Sequence, residues 1–374
     1  MIHKKYIPII KTGESELKAI KNLSVELKEF ILPLFELTKA RKKPKAEEGS
    51  IKNNLEFLQE NFKETAFILD LTTDDNLSNT EIDSFLTSQN NYKNWVDFCL
   101  EQKKVFKEFY PSVVIAEEEN EEYQVYLDKL QNQLITLCDN FKYVVFRAQN
   151  ESIAKNLIID INNLLKRKVI NNLSKKIIFI LDYRYINNSC KSVGIAAKIC
   201  NVLFSLGIEN IVISSTSFPK NVSEHMATSD FIKFKIKEFD FYRNIKQEIN
   251  NKNIKIIYSD YATVNPVRND NVVFARGWIP RIDVPTLEEY IYCRRIRREK
   301  KQSYADVYMS IAKKVVQSDY FNNLLKINVK GWGMQEIINA SNDNVGGSSP
   351  RFWISVRMNV YIEMLSKIIN TILE

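Results

Sequence analysis

Polar and charged side chains stand at or near the ends of short apolar runs all along this chain of 374 residues. The first run, YIPII at 6–10, stops at Lys11, and the second, ILPLFEL at 31–37, carries Glu36 near its end. The set of side chains collected in this way is Lys11, Glu36, Asp70, Glu117, Arg147, Asp182, Ser215 and Asp260. Because an unpaired buried charge is costly, such groups must pair with one another, bind a ligand or face solvent.

These residue types suit two kinds of ligand. Several carboxylates without histidine are oxygen ligands of the kind that hold Mg²⁺ or another hard cation, although the sequence leaves the cofactor open. Lys11 and Arg147 are suited to a phosphate or carboxylate group, and a desolvated Lys11 could instead form a Schiff base. For any single residue, the alternative to ligand binding is a structural role in salt bridges that close one end of the fold. The recurrence of acids and bases favours a polar, ligand-binding mouth, and its predicted ligand-binding residues are Lys11, Glu36, Asp70, Arg147, Asp182, Ser215 and Asp260.

Histidine and cysteine usage argues against several other classes of site. The chain has two histidines, His3 and His225, so a His-rich metal centre and a conventional histidine base are nearly excluded. Its five cysteines are widely spaced, without a CxxC pair, which is typical of reduced structural thiols rather than of a disulfide framework or zinc site. No P-loop, nucleophile elbow or HExxH motif is present. The sequence therefore does not decide whether the protein is an enzyme.

The elements that would position the charged groups are eight apolar runs that start near residues 6, 31, 66, 112, 143, 177, 210 and 254. Helical patterns separate most of them, and this alternation is typical of parallel βα units. The runs are nearly continuous rather than alternating, as expected for strands that are covered on both faces. Eight units favour a TIM-like (β/α)₈ barrel of the α/β class, in which the carboxyl ends of the strands converge on one mouth. A doubly wound open sheet is the alternative.

The alternation of apolar runs with helical patterns ends at about residue 265. We predict a barrel over 1–267 and, over 268–374, a C-terminal elaboration made of a β-hairpin and helices. The hairpin is expected from strands at 271–279 and 280–296, with a turn at Leu287, Glu288 and Glu289. Helices are expected over 303–317 and 352–373, with a loop at 341–350.

The overall charge is compatible with a nucleic-acid partner but does not require one. The net charge is +7, from 53 basic and 46 acidic residues. The basic run 294–301 could contact the phosphates of a nucleic acid, but a solvated strand end or helix start is the interpretation that we favour. No apolar stretch approaches the length of a membrane span and no signal peptide is visible, so we expect a cytoplasmic protein that does not bind membranes.

The sequence resembles the bacteriophage beta-protein family. The opening YIPIIKTGESELKAI and the later ILPLFEL carry the resemblance at Tyr6, Pro8, Lys11, Gly13, Glu14, Ala19, Pro33, Leu34 and Glu36. Further matches in kind and order are Arg147, Asp182, Ser215 with Phe218 and Pro219, the stretch YSDY at 258–261, and the tail GGSSPRFWISVRMN with Gly347, Trp353 and Asn359. The chain departs from the family pattern at Thr12 and Gly13, and at Val360 and Tyr361, where the family often has a basic residue and a histidine. The resemblance implies a role in phage biology or in bacterial defence against phage.

Two hypotheses from different classes follow. In the first, the mouth binds a phosphorylated or nucleotide-like ligand, as an enzyme or a sensor would. In the second, the protein is a non-catalytic interaction module of a phage or defence complex. Convergence of Lys11, Glu36, Arg147 and Asp182 around an open pocket would favour the first, whereas a mouth plugged by the C-terminal segment would favour the second. If the mouth charges are connected to solvent, replacing Lys11, Arg147 or Asp182 should cost only about 0–1 kcal/mol of stability.

Overall fold

The computed structural model of the protein describes residues 2–42, 44, 46–116, 118–187, 190–220, 231–267, 277–297 and 302–373. The strands within these residues are β1 (Tyr6–Lys11), β2 (Leu34–Leu37), β3 (Phe67–Leu71), β4 (Phe109–Pro111), β5 (Val144–Ala148), β6 (Ile177–Tyr185), β7 (Asn210–Thr216), β8 (Phe231–Lys235), β9 (Ile256–Asp260), β10 (Arg281–Pro285) and β11 (Glu289–Arg294). The helices are α1 (Glu14–Lys21), α2 (Val25–Phe30), α3 (Lys52–Phe62), α4 (Thr80–Phe85), α5 (Gln89–Lys103), α6 (Tyr123–Asn140), α7 (Glu151–Arg167), α8 (Leu173–Lys176), α9 (Cys190–Ser205), α10 (Glu238–Glu248), α11 (Tyr304–Val316), α12 (Asp319–Lys326), α13 (Trp332–Ser341) and α14 (Pro350–Leu373).

Eight strands form a parallel sheet in the order β4-β3-β2-β1-β9-β7-β6-β5. The two edge strands of this sheet meet, because Ser112, which follows β4, pairs with Val145 of β5. The Val113 N–H also donates to the Val145 carbonyl oxygen at 2.8 Å. The sheet is therefore a nearly closed barrel surrounded by helices. This confirms the predicted TIM-like α/β barrel and excludes the open, doubly wound sheet.

The fourth strand is shorter and lies earlier than the predicted 111–119. After Val113, whose N–H still bonds β5, the chain leaves the sheet, and side chains supply the next backbone hydrogen bonds. The Gln133 side-chain amide of α6 bonds the N–H and the carbonyl oxygen of Val114, each at 2.9 Å. The Trp95 indole N–H of α5 donates to the Ser112 carbonyl oxygen at 2.7 Å. Val113 and Val114 are thus buried against helices, and sequence propensity does not distinguish such a segment from a buried strand. Glu117, predicted at the mouth, lies outside the described residues.

A second, antiparallel sheet has the order β10-β11-β8. Its hairpin, β10–β11, lies within the predicted segment 280–296, while residues 271–276 of the other predicted hairpin strand lie outside the described residues. The sequence did not predict β8, a short FIKFK segment in which Lys233 and Lys235 are exposed. This strand pairs with β11, although it precedes β9 of the barrel in the chain. The boundary at 267/268 stays a prediction.

The C-terminal helix α14 packs against α1 and α10. This is the place that the helix after the last strand takes in a (β/α)₈ barrel. The Asn359 side-chain amide on α14 donates to the Ala19 carbonyl oxygen of α1 at 3.0 Å and accepts from the Gly333 N–H at 2.8 Å. In the described part of the chain, no helix is long and apolar enough to cross a bilayer.

The core contribution of β6 can be tested at two adjacent residues. Phe179 packs toward the helices and Ile180 into the barrel interior, and both are fully buried. Phe179→Ala should lower the free energy of unfolding by about 3–5 kcal/mol and Ile180→Ala by about 2–5 kcal/mol, as measured by urea denaturation. Ile159→Ala, at a 55% exposed position of α7, is the matched control and should stay within about 0.5 kcal/mol of the wild type. A loss below about 1 kcal/mol at either β6 position would contradict this packing.

Candidate functional site

The interior of the barrel ends in a polar layer at the carboxyl ends of its strands. Below this layer the interior is apolar, with Ile9, Leu34, Ile68, Tyr110, Val145, Ile180, Val212 and Ile257 among its residues. Side chains alternate between the two faces of a strand, so the next inward position lies two residues further along. Those positions hold Lys11, Glu36, Asp70, Ser112, Arg147, Asp182, Ser214 and Ser259. All eight are polar, and they include five of the seven predicted ligand-binding residues.

The Arg147 guanidinium connects the carboxylates of this layer. Its Nη1 lies 2.9 Å from Glu36 Oε2 and 2.7 Å from Asp70 Oδ2. Its Nε and Nη2 donate to Asp182 Oδ2 at 3.0 and 2.8 Å. The Tyr261 hydroxyl, on the residue after β9, accepts from Nη2 at 3.1 Å and donates to Asp182 Oδ2 at 2.6 Å. One side chain from β5 thereby links β2, β3, β6 and the end of β9.

Lys11 lies at the edge of this cluster. Its Nζ is 3.4 Å from Glu36 Oε1 and donates to the Pro266 carbonyl oxygen at 2.7 Å. The side chains of Lys11 and Arg147 are only 6% and 5% exposed, and that of Asp182 is fully buried. The small cost expected for solvent-connected charges therefore does not apply to Lys11, Arg147 or Asp182, because removing one partner of a buried ion pair leaves the other without compensation.

The environment of the cluster shifts the pKa values of its carboxyl groups in opposite directions. Burial tends to raise the pKa of Glu36, but the positive charges of Arg147 and Lys11 outweigh burial and hold that pKa below its usual value. Burial raises the pKa of Asp70, and the charge of Arg147 offsets only part of this rise.

A cavity of about 260 Å³ opens above the cluster. Its wall combines charged groups with hydrogen-bonding side chains from several strand ends, namely Lys11, Glu36, Thr73, Asp74, Asp75, Asn76, Arg147, Gln149, Arg184, Tyr261 and Pro266. The Gln149 side chain bridges two sides of this wall. It accepts from Arg184 Nη1 at 3.2 Å and donates from Nε2 to the Thr73 hydroxyl at 3.2 Å.

Ser214 and Ser259 are among the residues of the polar layer whose buried hydroxyls have no hydrogen-bond partner in the described part of the chain. They lie on adjacent strands and in register with each other. Ser214 is also in register with Asp182. A buried hydroxyl without a protein partner marks a place where water or a polar group of a ligand is expected.

The structure does not bring Ser215 and Asp260 into this layer. Each follows an inward serine by one residue, so each side chain points out of the barrel. Asp260 accepts hydrogen bonds from the hydroxyls of Tyr6, Tyr258 and Tyr361 at 2.6, 2.9 and 2.6 Å. Because Tyr361 belongs to α14, Asp260 ties the C-terminal helix to β1 and β9. Burial raises the pKa of this carboxyl group.

Sequence reasoning missed Tyr261, Arg184 and the stretch 73–76. A period of two, counted from the inward apolar residues of β9, would have placed Ser259 and Tyr261 inside the barrel instead of Asp260. The same count on β6 continues from Asp182 to Arg184. The polar stretch TDDN at 73–76 follows β3 directly, and the convergence of strand ends on one mouth is the signal that could have identified it.

Comparison with known proteins identifies the family. The model of the Beta protein family matches residues 6–366. The chain belongs to the Beta protein family. This match includes every strand of the barrel and every residue of the Arg147 cluster, and it confirms the resemblance seen in the sequence.

A member of the Beta protein family from a phage is similar over nearly the whole chain. Protein beta of Enterobacteria phage P4 is 26% identical over 363 residues, which are 96% of this chain and 91% of that protein. The chain is therefore a phage-related protein. Among solved structures, the spore cortex-lytic enzyme SleL of Bacillus megaterium QM B1551 is 12% identical, with a TM-score of 0.33 over 95% of this chain and 74% of that one.

The carboxylates of the Arg147 cluster bond a guanidinium rather than one another or a shared cation site. In the ranges that the structure describes, no group of three or more histidine, cysteine and acidic side chains could hold a metal ion. Glu36, Asp70 and Asp182 instead direct oxygens at the Arg147 guanidinium, which takes the central position that a hard cation would need.

Removing Arg147 should be strongly destabilising. Arg147→Ala leaves three buried carboxyl groups without their cation, so we expect a loss of about 3–5 kcal/mol in the free energy of unfolding by urea denaturation. Arg351→Ala is the control, since Arg351 pairs with Glu14 at the surface and its side chain is 55% exposed. That variant should lose about 0–1 kcal/mol. A similar, small loss in both variants would show that the Arg147 cluster is not a buried ion-pair network.

Glu36 and Asp70 should give opposite dependences of stability on pH. The lowered pKa of Glu36 stabilises the fold above the unfolded-state value of about 4.3, and this contribution is lost as pH falls through the folded-state pKa. The raised pKa of Asp70 means that the folded state binds more protons above about pH 3.9, so its contribution grows as pH falls through the raised pKa.

Urea denaturation at a series of pH values between about 3 and 7 measures both effects. For each variant the quantity to follow is the free energy of unfolding of the wild type minus that of the variant. For Glu36→Gln this signed difference should fall toward acid pH, whereas for Asp70→Asn it should rise. Glu56→Gln, at a side chain 56% exposed, serves as the control for an exposed carboxylate. Parallel pH profiles for Glu36→Gln and Asp70→Asn would contradict the assignment.

Proposed function

We propose that the barrel mouth binds a small ligand that carries a phosphate or a similar anionic group, as phosphorylated and nucleotide-like molecules do. The observation that carries this proposal is the cavity above the Arg147 cluster. Lys11, Glu36 and Arg147 converge on it from three strands. Its volume of about 260 Å³ lies just below the roughly 300–1,000 Å³ of typical ligand sites, which suits a small polar molecule.

The two kinds of group on the cavity wall suit such a ligand. Lys11 and Arg184 supply positive charge, which favours an anionic group. Asp74, Asp75 and Asn76, from the stretch after β3, supply oxygens that accept hydrogen bonds from hydroxyl or amino groups. A ligand with an anionic end and a hydroxyl-bearing or amino-bearing end would satisfy both. A purely anionic ligand would meet repulsion from the acidic side.

The position of the C-terminal helix supports ligand binding over a mouth that serves only for docking. In the described residues, α14 packs on the flank of the barrel against α1 and α10, and none of its residues lines the cavity. The C-terminal helix therefore does not plug the mouth. We propose further that ligand binding at the mouth is the step by which this phage-related protein acts in phage propagation or in anti-phage defence.

A steric block of the cavity tests the proposed function. Asn76 is exposed and lines the cavity without bonding the Arg147 cluster, so Asn76→Trp should fill the cavity and keep the fold. Asn156→Trp, at an exposed position of α7, is the matched control. Small molecules that co-purify with each protein would be identified by mass spectrometry after denaturation, and melting temperatures would be measured with a panel of sugar phosphates and nucleotides.

The wild type and Asn156→Trp should retain a phosphorylated compound or be stabilised by one, and Asn76→Trp should not. Plaque counts on cells that express each protein give the biological readout, and Asn76→Trp should lose whatever effect the wild type has. Equal ligand retention by both tryptophan variants would contradict binding at this cavity, and so would a wild type that no compound of the panel stabilises.

A further inference from the structure

The positive groups of the cavity differ in how far they are already neutralised. Arg147 bonds three carboxylates, and Lys11 pairs with Glu36 and bonds the Pro266 carbonyl oxygen. Within the described ranges, Arg184 has no carboxylate partner for its guanidinium, which donates to the neutral Gln149 side chain at 3.2 Å. The Arg184 guanidinium on the cavity wall is therefore available to bind a new anion.

Arg184 is held in an unfavourable backbone conformation. Its φ is 54°, in the left-handed region, which is sterically unfavourable for a residue with a Cβ. The pairing of β6 with β7 is irregular between Asp182 and Tyr185, and the Arg184 N–H donates to Asp182 Oδ1 at 2.9 Å. Irregularities of this kind re-aim a side chain and are frequent beside functional sites. Here the irregular residue is an arginine on the cavity wall. The backbone of Arg184 is held by Asp182, the carboxylate that also bonds Arg147.

We infer that Arg184 is the residue that captures the anionic group of the ligand, while Arg147 serves to position the carboxylates beneath it. This inference rests on the proposed function and assigns the specificity of the same cavity. The planar guanidinium can bond two oxygens of a phosphate at once. Gln149 orients it and connects it to Thr73, which follows β3.

The position of Arg184 also indicates the class of ligand. With the anionic group at Arg184, the rest of the molecule lies toward Glu36 and the stretch 73–76, whose oxygens accept hydrogen bonds. A monophosphate attached to a hydroxyl-rich sugar has both features, whereas a free phosphate has only the first. We therefore assign the site to a sugar phosphate or a nucleoside monophosphate.

Binding measurements with matched pairs of compounds test this assignment. The probes are ribose 5-phosphate with ribose, and adenosine monophosphate with adenosine, titrated calorimetrically into the full-length protein. The wild type should prefer the phosphorylated member of at least one pair. Arg184→Gln should weaken binding of that member by about 10-fold to 100-fold and leave binding of the unphosphorylated member unchanged. Arg243→Gln, on an arginine of α10 whose side chain is 42% exposed and pairs with Asp240, should bind as the wild type does.

A second variant separates ligand recognition from a structural role. Because glycine adopts the left-handed region without steric cost, Arg184→Gly should keep or raise the melting temperature and still lose the preference for the phosphorylated probe. A lower melting temperature for Arg184→Gly would show that Arg184 is structural and would overturn the inference. Wild-type affinity of Arg184→Gln for the phosphorylated probe, or an equal loss for both members of a pair, would overturn the inference and leave the proposed function standing. A wild type that binds none of the four compounds would overturn the assigned ligand class; the cavity-block experiment tests the proposed function separately.

Discussion

The buried guanidinium of Arg147 is the interaction on which the mouth of this barrel depends. A barrel interior must be filled, and in this protein the topmost interior layer is polar on all eight strands. Three carboxylates there would be unstable without a cation, because their mutual repulsion is strong where water is excluded. Arg147 supplies that cation at distances of 2.7–3.0 Å, and Lys11 adds a second positive charge at the edge. With all five groups ionised the cluster carries a charge of −1. Burial raises the pKa of Asp70, and this rise favours the neutral form of that carboxyl group.

This arrangement divides the charged groups of the mouth into two sets. Glu36, Asp70 and Asp182 all bond Arg147 and fix the geometry of the cavity floor. Arg184, Gln149 and the stretch 73–76 lie on the wall above, where fewer of their bonds are made within the protein. Rigid support beneath and available donors above are the features that a binding site requires. A second buried carboxyl group, Asp260, serves a different purpose, since its three tyrosine partners connect the barrel to α14.

The sequence predicted the barrel and five residues of the polar layer because each signal was local. Each inward polar residue follows an apolar run, the alternation of runs with helical patterns predicts a parallel sheet, and the number of eight units favours its closure into a barrel. Asp260 and Ser215 were misplaced because the prediction used closeness to the strand end and not the period of two along the strand. The partners of Arg147 could not be predicted, since the hydrogen bonds join residues up to 114 positions apart. The pairing of β8 with β11 is equally non-local. The strained backbone of Arg184 follows from the register of β6 against β7, which the sequence of β6 alone does not contain.

A double-mutant cycle between Arg147 and Asp182 tests the central claim most directly. Free energies of unfolding would be measured for the wild type, Arg147→Met, Asp182→Asn and the double variant at neutral pH. Because Arg147 donates to Asp182 Oδ2 from two nitrogens at 3.0 and 2.8 Å in a buried environment, the account predicts a coupling energy of about 1–3 kcal/mol. The double variant should then be less destabilised than the sum of the two single variants. Additive effects, within about 0.5 kcal/mol, would contradict the claim that Arg147 holds the polar layer together.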